Sequence, residues 1–389
     1  MNDAFSLRDH LFNAESLGDL AAEYAAGCDG FDPHIFLGRV LPGLAPLGLL
    51  ERLDWIADCI AEQLPTDFPA MADSLEAAMP PPLNPNLRDN DFGRFIHAVP
   101  GVLAVRHGLA AHPDRALDLL YKATKRFSME LYIRPFINQW PDKTLARLCQ
   151  WAEDENYHVR RLVSEGTRPK LPWARSITLD PLVALPLLDI LHDDSTRYVT
   201  RSVANHMNDI AKIAPDAVLD RLSSWRESAR GTASETRWIS RHALRTLIKQ
   251  GYPSALRFLG YRPDAAVEVA ALDLAPDEVA IDTAMTMTLT LKNTASKPKP
   301  VLVDYAITFA SENGKPRQKV FKWKEAEIAP SSEISLRKSH RFKGNATTFS
   351  LTPGRHQIAI QVNGKRLLEK DFDLLPSPRA GGNSPPSTS

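Results

Sequence analysis

A spacing of 40 residues in the middle of the chain constrains the fold more than any other feature of the sequence. Three segments share apolar positions and an arginine at this spacing. The matched positions, in the order of the three segments, are Val159, Val199 and Ile239; Arg161, Arg201 and Arg241; and Val163, Val203 and Ala243. Helices that repeat an apolar register at a period of about 40 residues are typical of HEAT and armadillo solenoids. We therefore predict a helical solenoid here.

The length and the cysteines place the chain in a broad class. Its 389 residues are enough for two domains, and its apolar content of 43% is enough to build cores. Cys28, Cys59 and Cys149 lie far apart and are odd in number, which argues against a disulfide framework and favours a reducing compartment. The N-terminus has no basic segment followed by an apolar run, and no apolar run approaches the roughly 18 residues of a membrane span. We expect no signal peptide and a cytoplasmic location, in the bacterial cytosol or nucleoid.

Charge is spread unevenly along the chain. Residues 1–120 carry 7 Lys and Arg against 18 Asp and Glu, or −11, whereas residues 121–260 carry 22 against 15, or +7. The remaining residues contribute +4, so the net charge is zero. A basic middle beside an acidic N-terminal third is expected when one surface faces a polyanion, although a solvated face gives the same pattern.

Helical periodicity extends to about residue 262 and then stops. One long helical run is predicted between His112 and Trp140. After residue 262 short apolar alternations follow one another every 10 to 15 residues, which predicts about seven strands in an immunoglobulin-like sandwich. Their predicted turns are Asn313-Gly314, Pro353-Gly354 and Asn363-Gly364. The predicted organisation is multidomain, α then β: a HEAT-like α-solenoid over 1–262, a sandwich over 263–375 and a disordered tail over 376–389.

Common catalytic motifs are absent from the sequence. It has no Gly-rich phosphate loop, no GxSxG, no HExxH and no CxxC, and its histidines lack the spacing of metal ligands. We therefore expect no metal and no other cofactor, so any catalysis falls to carboxylates and basic groups on the solenoid helices. The polar faces of these helices stack into one concave surface in a solenoid. Their members are His158, Arg161 and Glu165; Arg201, Asn205, Asn208, Asp209 and Lys212; and Trp238, Arg241, His242, Arg245 and Lys249, with Glu130 on the preceding helical run.

Structural interpretations compete with functional ones at these positions. Asp154 with Arg161, and Asp194 with Arg201, fit an Asp–Arg ladder between repeats. Ordinary helical ion pairs would explain Arg126–Glu130–Arg134 and Arg161–Glu165, which are four residues apart. Trp173 fits a packed loop aromatic, and His206 and His242 fit a polar helix face.

Three segments resemble one known family. VRRLVSEGTRPKLPWA, DSTRYVTRSVANHMNDIAK and SRHALRTLIKQG are similar to the AlkC branch of the HEAT-like DNA alkylation repair glycosylases. The resemblance extends from the N-terminal helices to about residue 262, and the β-rich C-terminus resembles the immunoglobulin-like domain of some members. It implies a glycosylase that acts on double-stranded DNA; we expect a monomer by default, and no metal from the spacing of the histidines. The expected products are cationic N-alkylated bases, notably 3-methyladenine and 3-methylcytosine, released without a base-flipping pocket.

The resemblance also implies residue roles. Glu130 in RFSMELY and Glu165 in VSEGTRP match the family's catalytic carboxylates, and Asp209 in NHMND is the third candidate. The residues assigned to DNA contact are Arg126, His158, Arg161, Arg168, Lys170, Trp173, Arg201, Asn205, Trp238, Arg241 and Arg245. On the predicted sandwich, Lys315, Arg317, Lys319, Lys322 and Lys324 with the Lys338–Lys343 cluster form a basic run that either closes around the duplex or is a solvated strand face.

Two other functions compete with the glycosylase. One is a catalytically silent HEAT platform that binds or bends DNA, and the other is a protein-interaction scaffold. Loss of Glu130 and Glu165 separates the first from an enzyme, and salt-dependent DNA binding excludes the second.

Overall fold

The computed structural model describes residues 6–87, 92–228, 230–263, 266–310, 316–344 and 350–378. Within them, helices extend to Phe258 and strands begin at Val267, which confirms the predicted order of α followed by β. Contacts divide the chain into two compact units, Met1–Ala243 and Leu244–Ser389.

The first unit is helical. Its helices are α1 Leu7–Leu11, α2 Ala14–Gly27, α3 Pro33–Gly43, α4 Leu49–Ala61, α5 Phe68–Ala77, α6 Val99–Leu103, α7 Pro113–Thr124, α8 Ile133–Gln139, α9 Pro141–Trp151, α10 Tyr157–Gly166, α11 Leu185–Leu191, α12 Arg197–Ala211, α13 Pro215–Ser228 and α14 Ala233–Ala243. Short 3-10 turns at Phe95–Ala98 and Pro181–Ala184 and a π-helical turn at Ala104–Gly108 join some of them. Within the described residues, no helix is both long and apolar enough to cross a membrane.

The 40-residue register corresponds to three packed helices. Helix α12 lies against both α10 and α14, and the apolar residues of the register are buried in all three. Val159, Val199 and Ile239 are each at most 1% exposed. Burial of such side chains stabilises the stack by roughly 1.5–3 kcal/mol each. The arginine of the register has no common environment, because Arg201 is exposed whereas Arg161 and Arg241 are half-buried.

The predicted long helix over 112–140 is wrong. Helix α7 ends at Thr124, a turn follows, and α8 starts at Ile133. Pro135 explains the restart: in the first turn of a helix its missing N–H is not needed, whereas inside a continuous helix its ring would clash with the preceding turn. Arg126, Glu130 and Arg134 therefore do not share a helix face, and the i,i+4 pairs considered for them do not form.

The two aspartates of the predicted ladder between repeats have other partners than those expected. Asp194 accepts hydrogen bonds from Arg160 rather than pairing with Arg201. Asp154 accepts a hydrogen bond from the Tyr121 hydroxyl at 2.7 Å rather than pairing with Arg161. Consecutive residues of a helix point about 100° apart. Arg160 therefore points toward Asp194, and its neighbour Arg161 points from another face of α10.

The second unit holds two short helices and the strands. They are α15 Arg245–Lys249, α16 Pro253–Phe258, β1 Val267–Ala275, β2 Glu278–Ala280, β3 Ala284–Asn293, β4 Lys299–Phe309, β5 Arg317–Ile328, β6 Glu333–Arg341, β7 Gly354–Val362 and β8 Lys365–Leu375. In the described part of the chain the strands form a three-stranded sheet in the order β1-β3-β6 and a five-stranded sheet in the order β2-β8-β7-β4-β5. A shared apolar core lies between the two sheets, as the sandwich prediction requires. The short β2, which pairs in parallel with β8, was not predicted.

The Asn363-Gly364 turn is confirmed, and it packs on the helical segment of the same unit. Asn363 and Gly364 have φ of 50° and 79°, as a tight hairpin turn requires. The Asn363 side chain donates to the Arg262 carbonyl at 3.0 Å. A Cβ on Gly364 would lie 2.7 Å from Cα of Gly251, so both positions need glycine. This close packing places residues 244–262 in the same compact unit as the strands.

Some sequence predictions lie outside the described residues. They are the Asn313-Gly314 turn, Lys315 and residues 379–389 of the predicted tail. The remaining basic residues lie on β5, on β6 and just after β6, where Arg317, Lys322, Lys324 and Lys343 are exposed and Lys319 and Lys338 are half-buried.

Candidate functional site

The end of α10 brings the first predicted carboxylate into the interior. The Asn156 side chain accepts from the His158 backbone N–H and starts the helix, and the prolines at 169 and 172 follow its end at Gly166. Glu165 in the last turn is 5% exposed. Its Oε1 accepts from Arg168 Nη1 at 2.5 Å, and its Oε2 accepts from the Ser202 hydroxyl at 2.5 Å.

Glu165 is ionised despite its burial. Burial by itself would raise the pKa of this carboxyl, but the Arg161 and Arg168 guanidiniums, with the Ser202 and Arg168 hydrogen bonds, outweigh it and lower the pKa below its ordinary value. The group is therefore a fixed anion at neutral pH.

Arg161 joins Glu165 to Glu130. Its Nη1 donates to Glu130 Oε2 at 2.5 Å and to the Ser128 hydroxyl at 3.0 Å, and its Nη2 lies 3.8 Å from Glu165 Oε2. The guanidinium also lies over the Tyr198 ring, 4.5 Å from its centroid. Burial alone would lower the pKa of Arg161, but the two carboxylates raise it above its ordinary value, so the charge is permanent.

Arg168 joins Glu165 to the third predicted carboxylate. Its Nε and Nη2 donate to Asp209 Oδ2 at 3.0 and 2.8 Å, and Lys212 Nζ donates to Asp209 Oδ1 at 3.0 Å. Asp209 is buried on α12. We call Glu130, Arg161, Glu165, Arg168 and Asp209 the carboxylate cluster. The structure thus brings together all three predicted carboxylates and two of the predicted DNA contacts.

The three carboxylates differ in what their oxygens contact. Both oxygens of Glu165 and both of Asp209 accept hydrogen bonds from neighbouring side chains. Glu130 accepts only through Oε2, from Ser128 and Arg161, so that no described residue donates to its Oε1. Its side chain is 22% exposed, whereas those of Glu165 and Asp209 are at most 7% exposed. Glu130 therefore has an oxygen available to an incoming group.

Two histidines near the cluster are interior residues. His206 is fully buried, which corrects its assignment to a polar face; its Nδ1 lies 3.0 Å from the Ser164 carbonyl oxygen. Burial lowers its pKa to about 4, so the ring is neutral at pH 7. His158, predicted to contact DNA, is buried between the Tyr157 and Tyr198 rings. Because the His158 ring is buried, a DNA phosphate has little access to it.

Other predicted DNA contacts lie on the surface of the same unit. Lys170, Trp173 and Arg201 are exposed, and Trp173 is 71% exposed with φ of 63°. Trp238 is stacked on His242 with ring centroids 5.0 Å apart, and His242 Nε2 lies 2.8 Å from Asn205 Oδ1. Arg241 is half-buried on the same helix.

Two predicted contacts do not join this group. Arg126 is half-buried, and its guanidinium donates to the Pro80 and Lys122 carbonyls. Arg245 lies in the second compact unit, where its predicted role stays untested.

Sequence reasoning missed the hydroxyls and the ring that hold the cluster. Ser128, Ser202 and Tyr198 contact the charged groups directly, yet the sequence motifs that contain them gave none of the three a role. Ser202 follows Arg201 of the repeat and Tyr198 precedes Val199, so only a three-dimensional argument could select them. Within the described ranges, no three His, Cys, Asp or Glu side chains are grouped so as to hold a metal ion.

Comparisons with known proteins cover both parts of the chain. Residues 268–376 match the family model described as the C-terminal Ig-like domain of the uncharacterised protein YhaZ. The chain is 30% identical over 372 residues to the uncharacterised protein YhaZ of Bacillus subtilis (strain 168), which covers 94% of this chain and 98% of that protein. It is also similar to a solved structure of the Pseudomonas fluorescens alkylpurine DNA glycosylase AlkC, bound to DNA containing an abasic site analog. The TM-score is 0.84 and the identity 33%, over 95% of this chain and 99% of that one.

Proposed function

This chain belongs to the AlkC family, and we propose on that basis that it is a DNA glycosylase which releases cationic N-alkylated bases from duplex DNA. The family membership rests on similarity along nearly the whole chain. The substrates proposed are 3-methyladenine and 3-methylcytosine. The observation that carries the chemistry is the carboxylate cluster, in which the Arg161 guanidinium lies between ionised Glu165 and Oε2 of Glu130 and leaves Oε1 of Glu130 available.

The chemistry of the lesion suits a site made of fixed charges. A base alkylated at a ring nitrogen is already a cationic leaving group, so it needs little help from an acid. As the glycosidic bond breaks, positive charge moves onto the deoxyribose, and preorganised anions stabilise this oxocarbenium-like state. Glu130 is the carboxylate proposed to face the sugar or a water molecule, because its Oε1 accepts from no described residue.

The cations of the cluster keep its anions in place. Arg161 and Arg168, with Lys212 beside the cluster, form ion pairs with the three carboxylates, and these pairs offset the cost of burying Glu165 and Asp209. The three carboxylates are therefore preorganised before substrate binds, and little reorganisation accompanies bond cleavage.

The geometry favours a reaction at the exposed side of Glu130 rather than inside a nucleobase pocket. The cavity beside Trp173, about 220 Å³ in volume, is lined by other residues than the three carboxylates. Exposed Trp173 is proposed to stack on a base, and Lys170 and Arg201 to contact phosphates.

The first test is base release from methylated duplex DNA. We expect the protein to release 3-methyladenine or 3-methylcytosine above spontaneous loss, measured by chromatography of the free bases. Glu130→Gln should retain DNA binding and lower release. The matched control is Glu62→Gln, since the exposed Glu62–Arg39 pair lies outside the cluster and its loss should leave release unchanged.

Other outcomes identify other functions. Tight, salt-sensitive DNA binding without any base release would replace the proposal by a silent DNA-binding platform. Absence of both release and binding would leave a protein-interaction scaffold.

A second prediction concerns the phosphate contact proposed for Arg201. Its guanidinium is exposed and makes no hydrogen bond or ion pair with the described residues. Arg201→Ala should weaken DNA binding at every sequence and reduce the slope of log affinity against log salt by about one, the loss of one phosphate contact. Fluorescence anisotropy over a salt series measures this slope, with Arg39→Ala in α3 as the control. An unchanged slope would remove Arg201 from the DNA interface.

A further inference from the structure

We propose that Ser202 is a positioning residue for Glu165, acting through a buried pair of hydroxyls that neither the repeat register nor the family resemblance singled out. The inference rests on the proposed function, because it assigns Ser202 to the reaction of that same site. Ser202 itself lies behind Glu165 and is 2% exposed, so it is not placed to touch a substrate.

The direction of the hydrogen bonds follows from proton counting. The Ser202 oxygen lies 2.5 Å from Glu165 Oε2 and 2.9 Å from the Ser164 oxygen. An ionised carboxylate only accepts, so the single hydroxyl proton of Ser202 is donated to Glu165. Ser164 is then the donor in the contact between the two serines. The pair forms a short chain that ends on the carboxylate and is buried throughout.

A second contact joins α10 and α12, one turn further along α12. Ser202 and His206 lie four residues apart on α12, and His206 Nδ1 lies 3.0 Å from the Ser164 carbonyl oxygen. That carbonyl belongs to the last turn of α10, where helix carbonyls lack an intrahelical partner. Helix α12 thus holds both the backbone before Glu165 and its carboxylate. The arginines supply the charge, and Ser202 selects the rotamer of Glu165 in which Oε1 meets Arg168.

The charged and titratable groups around Glu165 come from each element packed on it. They are Arg161 on α10, Arg168 after α10, Tyr198, His206 and Asp209 on α12, Arg134 on α8, and Glu130 before α8. His206 is neutral near pH 7, and the ion pairs of the other charged groups do not involve Ser202. Loss of the Ser202 hydroxyl therefore removes one donor to Glu165 and leaves every charge in place.

The test is Ser202→Ala in the full-length protein. We expect single-turnover base release to fall about tenfold, the effect of one hydrogen bond to a charged group, with DNA affinity unchanged. Because the lost bond favours the ionised form, the pKa of Glu165 should rise and the acidic limb of the pH–rate profile should move to higher pH. Ser202→Thr retains the hydroxyl and should recover most of the rate.

The control is Ser240→Ala on α14, the same change at another buried helical serine. It should leave both the rate and the pH profile as they are. An unchanged rate in Ser202→Ala would overturn the proposal, and so would a slower rate with an unmoved pH profile, since that pattern indicates lost packing alone.

A measurement without substrate separates this inference from the proposed function. Carbon-13 NMR of labelled glutamate side chains, with Glu165 assigned through Glu165→Gln, follows the carboxyl titration directly. If the protein releases no base, the proposed function fails and Ser202 loses its place in a reaction. A titration of Glu165 that does not move in Ser202→Ala overturns the positioning role even in an active enzyme.

Discussion

Glu165→Gln is expected to lower base release roughly a hundredfold, the effect of removing one preorganised electrostatic stabiliser. The amide keeps the size of the side chain but removes the anion and turns an NH₂ group toward one of its two hydrogen-bond donors, Arg168 or Ser202. Single-turnover release with protein in excess measures the chemical step, and an anisotropy titration shows whether DNA still binds. Retained binding with slow release is the expected combination.

The matched control is Glu235→Gln. Glu235 has the same kinds of partner, Arg197 at 2.7 Å and the Thr200 hydroxyl at 2.9 Å, but belongs to the contact between α12 and α14 rather than to the carboxylate cluster. Its loss should change release by less than about threefold, as for a partly exposed ion pair away from the chemistry. Equal losses in the two variants, or full activity in Glu165→Gln, would contradict the role of Glu165.

The lowered pKa of Glu165 also gives a pH dependence of stability. A carboxyl whose pKa is lower in the folded protein binds protons more readily when unfolded, so its contribution to stability is complete above the ordinary glutamate pKa of about 4.3. That contribution is lost as pH falls through the lower pKa of the folded protein. The contribution of Glu165 to stability is therefore complete at neutral pH.

Most of the fold could be predicted because it follows from periodic patterns. The register of Val159, Val199 and Ile239 identified the stacked helices, and the alternation after residue 262 identified the sandwich. The errors fall where local signals compete. The break before α8 was missed because the charges at 126, 130 and 134 fitted a helix as well as a turn.

The site was predicted less completely, because its parts come from separate segments. The sequence predicts Glu130, Glu165 and Asp209 as catalytic candidates, and the structure brings them together, but their catalytic roles stay predictions. Glu130 meets Arg161 across a turn, and Ser202 meets Glu165 from the next helix. No spacing along the chain encodes such contacts. Charge alone could not show that Arg160 pairs with Asp194 whereas Arg161 belongs to the carboxylate cluster. Their different directions from α10 decide this, because the two arginines are consecutive residues of one helix.

Arg134 shows how far burial changes the interpretation of a charge, and Arg134→Met should lower the free energy of unfolding by at least about 3 kcal/mol. This arginine, considered for a surface ion pair, is 1% exposed and donates to the carbonyls of Arg175, Gly166 and Arg168 at 2.5, 3.1 and 2.7 Å. Methionine fills most of the space but removes the donor of all three carbonyls, of which the Gly166 carbonyl is buried and the other two are partly buried. Urea unfolding followed by circular dichroism measures the change.

The same substitution should also slow base release, because the segment that Arg134 holds carries Arg168, the residue between Glu165 and Asp209. Arg147→Met is the control. The Arg147–Asp118 pair is partly exposed, so its loss should lower the free energy of unfolding by less than about 1 kcal/mol and leave release unchanged. If the free energy of unfolding changed little in Arg134→Met, then water or a shift of residues 166–175 would satisfy the three carbonyls. The backbone before Trp173 would then be held by its own turns rather than by this arginine.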